Sequence, residues 1–301
     1  MLDKLQKDAQ DEEMEPSNTS PSTFLTLSVA QAIAVWSIAQ TLTWQFQAAG
    51  ACVMCGHWIG FIISLMIQSD NYFDITEDVT LFATLVYIYR SIDTPNTRQS
   101  IAFGFAFLWC VRLCAFVGYR VLVRGSDWRF DKLITSVLYN LFGWTSGGTW
   151  CFFNCFCLWM LAGSDSTAHN NDLTSLDYVG IIVFSIGFLI EIVSDLQKYS
   201  FNSKHSSGAN NCWIESGLWA FSRHPNYAGE ITLWLGMSIL CFSQVPNATS
   251  FIITAVTPIW SLFFLLFTSL MLLEKRADKK WGNLSAYKNY KRRVPVLFPG
   301  V

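Results

Sequence analysis

The stretch Ile252–Leu273 runs through twenty-two residues without one charged side chain, and Ile101–Val111 adds a shorter run of the same kind. As helix, about 20 apolar residues cross the hydrocarbon core of a bilayer. Such runs argue against an ordinary soluble domain, and the composition agrees: 14% of the residues are charged, against about 25% in soluble proteins. Lipid is therefore the expected solvent. The expected fold is all-α, a polytopic transmembrane bundle of seven to eight helices with a cytosolic amphipathic carboxyl-terminal segment. The spans are placed at about 24–47, 51–68, 78–92, 101–123, 134–161, 178–194, 226–245 and 251–273.

Ahead of the bundle, residues 1–22 are acidic and contain Pro and Ser, too polar to offset the entropy of ordering, so a disordered tail is expected. A bundle over 23–273 and a basic segment over 274–301 complete the division. No apolar core with a small-residue cleavage site follows a basic start, so a cleaved signal peptide is not expected. The net charge of −2 averages an acidic start with a basic end; it says nothing about partners. With the amino terminus inside, 16 of the 20 Lys and Arg fall on the cytoplasmic side, as the positive-inside bias requires. Both termini and the 195–225 loop are then expected in the cytosol of a multi-pass protein, with the endoplasmic reticulum as the expected membrane. The sequons at Asn18 and Asn283 would lie on the wrong side for glycosylation, and Asn247 too near the membrane.

Six of the nine cysteines (Cys110, Cys114, Cys151, Cys155, Cys157 and Cys241) lie in apolar runs, where cysteine acts as a small hydrophobe. They are expected reduced. Cys52 and Cys55 have the spacing of a redox or zinc motif, yet no second pair follows. No metal site is evident, since His57, His169, His205 and His224 are scattered.

Ionisable groups within spans are costly and call for a role. Arg112 lies centrally in FAFLWCVRLCAFVGY, where it must snorkel, pair with an acid or meet an anion. Glu191, Asp195 and Lys198 share one helical face at the cytoplasmic end of a span. Asp74 and Glu77 fall in a short loop that Thr76 or Asp78 could turn into a helix cap. His57, Trp36, Trp44 and Trp58 could shape a cavity or simply fill the bundle.

The densest chemistry lies in GLWAFSRHPNYAGEITLWLG, with Arg223, His224, Pro225, Asn226, Tyr227 and Glu230 within eight residues. Pro225 suits the first turn of a helix, where its missing N–H would be unpaired anyway. The free amides and dipole of that turn favour an anion, with Arg223 and His224 as further donors. Asn226 and Glu230 are four apart and share a face; amide beside carboxylate can hold a carboxamide or adenine. The closing block LLEKRADKKWGNLSAYKNYKRRVPVLFPG reads most simply as a membrane-surface segment. Its Trp–Gly turn and Pro-terminated end also suit a lid over a cofactor.

At SRHPNYAGE the chain resembles the steroid 5-alpha-reductase superfamily, and most closely its bacterial, plant and protist branch of uncharacterised membrane proteins. NYFDITEDVT, EIVSDLQKYSF, LLEKRADKKWGN and YKNYKRRVPVLFP agree in order, so the likeness covers about residues 70–300. The resemblance implies a reductase that passes hydride from a reduced nicotinamide cofactor to a conjugated carbon–carbon double bond of a steroid, sterol, polyprenol or enoyl lipid; Arg223, Lys198 and the tail cations point to NADPH as that cofactor. It implies a cofactor-binding half at about 178–301, with Asp195, Asn226, Glu230 and, loosely, Lys275 and Lys279 as contacts; Lys198, Arg223, His224 and Tyr290 are further candidate contacts. Glu230, Tyr227 and Tyr119 are the candidate catalytic groups, and Trp109, Arg112 and Tyr87 the candidate substrate cavity.

The substrate end departs from the family. Animal 5-alpha-reductases polarise the steroid ketone with a Tyr and a Glu from early helices, whereas Trp109 aligns with that Tyr. No Glu occurs between Glu15 and Glu77. Either the substrate is not a 3-oxo steroid, or Tyr87, Tyr89 or Tyr119 supplies the donor. One rival is the isoprenylcysteine carboxyl methyltransferase type, which uses S-adenosylmethionine and shares Arg-His-Pro-x-Tyr-x-Gly. The pairing of Asn226 with Glu230 argues against it. The other rival is a non-catalytic lipid-binding protein. The expected partners are a lipophilic small molecule and membrane lipid, with no nucleic acid.

Overall fold

The computed structural model describes residues 20–124, 135–164, 172–204, 212–244 and 247–298. Among these residues the regular elements are helices. They are α1 (Pro21–Gln40), α2 (Trp44–Ile67), α3 (Phe73–Arg90), α4 (Thr97–Arg124), α5 (Val137–Asn154) and α6 (Phe156–Gly163). Then come α7 (Ser175–Lys204), α8 (Pro225–Phe242), α9 (Ala248–Phe264), α10 (Met271–Trp281) and α11 (Ser285–Arg293). A π-helical stretch, Leu265–Leu270, joins α9 to α10 without a break. Five of these segments are long and apolar enough to cross a membrane: α1, α2, α4, α7 and the continuous Ala248–Trp281. The chain is thus a polytopic helical membrane protein.

The seven or eight expected spans also counted α3, α5 and α8, which fall outside those five. α8 begins with the polar run Pro225–Glu230 and buries Pro225, Ala228, Gly229 and Glu230, so protein in place of lipid surrounds much of it. Most of the expected tail, residues 1–19, lies outside the described residues. Its last part is already ordered, because Ser20 accepts the Thr23 amide and Pro21 opens α1, a favourable helix start.

Two expected spans are interrupted. The stretch 24–47 breaks after Gln40, with Thr43 extended before α2. The stretch 134–161 breaks at Cys155, where Thr257 of α9 stitches the gap. Its hydroxyl accepts the Cys157 amide at 3.1 Å and donates to the Phe153 carbonyl at 3.5 Å. Nor does Thr76 or Asp78 cap α3. Burial of Phe73 against Trp144, with ring centroids 4.6 Å apart, draws the helix start upstream of both. Asp74 then lies in the first turn and pairs with Arg120 at 2.9 Å.

The chain forms two compact units. The first takes residues up to Ser91 and Ala106–Phe152; the second takes Ile92–Phe105 and Phe153 onward. In the first, α2 packs on α1 and α3, and the fully buried Trp144 donates its indole N–H to Asp70 at 3.0 Å. In the second, α7 and α8 pack backbone to backbone. A Cβ on Gly187 would stand 2.6 Å from the Gly229 carbonyl oxygen, and one on Gly229 would stand 2.6 Å from the Glu191 amide. Small residues permit such an approach between membrane helices.

The amino-terminal end of α7 is fixed by a buried ion pair. Arg98 grips Asp177 with Nε at 2.5 Å and Nη2 at 2.7 Å, while its Nη1 reaches Gln244 at 2.6 Å. Bidentate geometry with the extra amide acceptor is what makes a buried charge pair tolerable. The pair ties the start of α4 to α7 and to Gln244, two residues past the end of α8.

Candidate functional site

The site grows from the far end of α7. Gly217 adopts φ +64°, left-handed backbone that glycine accommodates best. The turn lets Leu218 donate its amide to Gln197 at 3.0 Å. One 3₁₀ turn then buries Trp219, whose indole donates to the Ser194 carbonyl at 3.1 Å. Lys198 lies 4.8 Å above the Trp219 ring, a cation–π contact that holds its charge beside the motif.

The next residues are held by the tail. The amides of Arg223 and His224 donate to the Pro295 and Val296 carbonyls at 2.9 and 3.1 Å, and the Ser222 hydroxyl donates to Val296 at 3.2 Å. Tyr290 donates its hydroxyl to the Trp219 carbonyl at 3.1 Å. Tyr287, Tyr290 and Val294 form a buried cluster with Trp213 and Trp281, while Leu297 packs with Ala228 and Ile231 of α8. The tail keeps its amphipathic character while its aromatic face packs on protein. Its aromatic side chains find an apolar seat on its own unit, while Lys275, Lys279 and Lys288 stay exposed.

At the mouth of α8, His224 occupies the cap position and Pro225 the first helical one, as the sequence predicts. His224 Nε2 lies 2.8 Å from Glu274 Oε1, and Arg223 Nη1 lies 2.8 Å from Glu274 Oε2. Lys291 reaches the same carboxylate at 3.4 Å and Asp278 at 2.6 Å. The chain's own α10 thus supplies a carboxylate to this mouth. Burial pushes the His224 imidazole below its ordinary value. The Glu274 hydrogen bond opposes that shift, while Lys198 and Arg223 add to it. Arg223 Nε and His224 Nδ1 are buried with no hydrogen-bond partner among the described residues, so the mouth retains unused polar capacity.

The other expected residues divide between the units. Glu230 and Asp195 are buried on α8 and α7, and the Gly229–Glu191 approach brings these two helices together near both. Asn226 and Tyr227 are half-buried in the first turn of α8, with Tyr227 stacked on His224 at 5.9 Å and 15°. Lys275 and Lys279 are exposed on α10. Trp109, Arg112, Tyr87 and Tyr119 belong to the first unit. Trp109 is fully buried 6.1 Å from Trp150, and Arg112 lies over Phe116 at 5.4 Å. Tyr87 and Tyr119 are 55% and 49% exposed. The sequence reading missed Glu274 as the acid at the mouth and Lys291 as the tail cation that meets it. The one available signal was the position of Glu274, first charge after the long apolar run.

The family described as "Protein of unknown function (DUF1295)" matches residues 58–294. A "Probable 7-dehydrocholesterol reductase" of Acanthamoeba polyphaga mimivirus is 31% identical over 133 residues, which cover 38% of this chain. The chain spans 27% of that relative's length. No solved structure matches. Since the matched stretch runs from α2 to the end of α11 and includes the whole mouth, the chain belongs to the DUF1295 family, within the steroid 5-alpha-reductase superfamily.

Proposed function

We propose that this protein is a membrane reductase that saturates a carbon–carbon double bond of a lipophilic substrate with a reduced nicotinamide cofactor. The observation that carries the reading is the mouth of α8. A helix amino terminus, Arg223, His224 and Lys198 gather there, with unused donor and acceptor capacity on Arg223 Nε and His224 Nδ1. Such a mouth fits a diphosphate by charge and by donor geometry. Arg223 and Lys198 would hold the phosphates, and the surplus of cations there favours NADPH over NADH. Asn226 and Glu230, one turn apart on α8, would hold the carboxamide or adenine by paired donor and acceptor.

When bound, the cofactor supplies hydride to one carbon of the double bond, and a proton completes the other. Tyr227 carries the hydroxyl of the motif and would deliver that proton from Oη. Buried Glu230 would orient the carboxamide through its carboxylate. The relative's name sets a sterol foremost among candidate substrates, ahead of a polyprenol or an enoyl lipid. The cation bias of the sequence gives the mouth a cytosolic exposure, where reduced nicotinamide is available.

Equilibrium binding to the detergent-purified protein tests the reading. NADPH is expected to bind, S-adenosylmethionine is not, and Glu230→Ala is expected to abolish NADPH binding while leaving the fold intact. Binding of S-adenosylmethionine alone would overturn it in favour of a methyltransferase. Binding of neither would favour a non-catalytic lipid-binding protein.

A further inference from the structure

In the first unit, three helices converge on a set of side chains that the reductase reading does not use. His57 lies on α2, Glu77 on α3 and Cys151 on α5, and one ligand atom from each lies within 4.8 Å of the other two. Cys151 Sγ and Glu77 Oε1 are 4.0 Å apart. We propose that these residues form a binding site for a divalent transition metal, zinc by its donor set, with a fourth position open to a water or another neutral oxygen.

The state of His57 supports the assignment independently. The ring is 0% exposed. Its Nδ1 lies 2.7 Å from the Val53 carbonyl of its own helix. A carbonyl only accepts, so Nδ1 carries the proton and Nε2 keeps its lone pair. That Nε2 is buried with no hydrogen-bond partner among the described residues. An imidazole oriented by a backbone carbonyl with its other nitrogen bare is the usual arrangement of a metal ligand. The bare nitrogen faces α5. A Cβ built on Gly147 would stand 3.1 Å from it, and Cys151 is one turn further along the same face.

Charge and size agree. One thiolate, one carboxylate and one neutral imidazole cancel a dication, so the filled site carries no net charge into the membrane, where unbalanced charge is costly. Imidazole with thiolate selects zinc over magnesium or calcium. Bonds of about 2.0–2.3 Å place tetrahedral ligand atoms about 3.3–3.8 Å apart. The present separations are 4.8 Å at most, within about 1 Å of that range, and half-buried Glu77 is the longest of the three side chains. Three protein ligands with one open position is the pattern of a reactive zinc site and not of a closed structural one.

The test uses the full chain purified in detergent and the metals themselves. About one zinc per chain is expected by elemental analysis. Replacement with cobalt(II) is expected to give a thiolate-to-cobalt charge-transfer band in the near ultraviolet. Cys151→Ser is expected to remove the band, His57→Ala to lose the bound metal, and Gly147→Ala to weaken retention. Cys52→Ser with Cys55→Ser should leave both signals intact. If the Cys151 and His57 variants do not fold, protection of a wild-type thiol from alkylation by added zinc, mapped to Cys151 by mass spectrometry, decides in the same sense. A monodisperse wild-type chain that retains no zinc and gives no cobalt band overturns the proposal. So does binding that follows Cys52 and Cys55 and ignores Cys151.

Discussion

The pair α7–α8 and the group α2, α3 and α5 are both tightly packed helical assemblies, but they close the space between helices in opposite ways. Between α7 and α8 the backbones themselves meet at Gly187 and Gly229. Within the first unit, large rings such as Trp144 and Phe73 fill the gap. Contact between backbones leaves nothing that can change rotamer, so it fixes Asp195 and Glu230 relative to each other with little slack. Ring-filled gaps can repack. The comparison teaches that one region is built to hold polar groups still, and the other to hold a volume.

The sharpest way to break the contrast is Gly187→Leu. Its Cβ would fall 2.6 Å from the Gly229 carbonyl, which no side-chain movement relieves. A loss of about 3 kcal/mol or more is expected from overpacking, read as loss of monodisperse protein or a large drop in unfolding temperature. On α4 in the first unit, Gly118→Ala meets nothing within 4 Å and is expected to stay within about 0.5 kcal/mol of the parent.

Comparable in size is Asp177→Ala, which strands the Arg98 guanidinium at 4% exposure. About 3–5 kcal/mol is expected to be lost, because an unpaired buried charge remains. The corresponding change in the first unit, Asp74→Ala, breaks a pair exposed to 19% and 27% and should cost less than about 1 kcal/mol. Denaturant or thermal unfolding of the two variants side by side checks the ratio. Equal losses would show that burial does not separate the two pairs.

A smaller effect is expected from pH at the mouth of α8. The His224 imidazole is held below its ordinary value of 6.5 by burial, so as pH falls the unfolded chain takes up its proton first. The contribution of His224 to stability is therefore intact above pH 6.5 and is lost as pH falls below it. His224→Gln should flatten the unfolding temperature across about pH 5–8; an unchanged pH profile would assign the dependence elsewhere. The smallest expected effect is that of Tyr290→Phe, which removes the hydrogen bond to the Trp219 carbonyl and about 0.5–1.5 kcal/mol. Tyr72→Phe, which removes a 2.9 Å bond to Gly60 in the first unit, should match it. Thermal shifts of the two variants measure whether a hydroxyl bond is worth the same in both regions.

Much of the second unit was legible along the chain. Pro225 announced the start of α8, and the apolar run at Ile252–Leu273 lies within one continuous helix, Ala248–Trp281. Local chemistry set these features. What escaped reading depended on partners distant in sequence. Glu274 is fifty residues from His224, and the break at Cys155 exists because Thr257, about a hundred residues on, satisfies its backbone. The α3 start was misplaced for the same reason, since Phe73 is held by Trp144.

By itself, the sequence determined the solvent of this protein, its helical class and the residues of its chemically dense motif, because hydropathy and cap chemistry act within one or two turns. Tertiary structure alone decided that the basic tail seats on α8, that Glu274 pairs with Arg223 and His224 at its mouth, and that His57, Glu77 and Cys151 come together. Those outcomes follow from how helices approach one another, and the approach is set by glycines and indoles whose contacts lie tens of residues away.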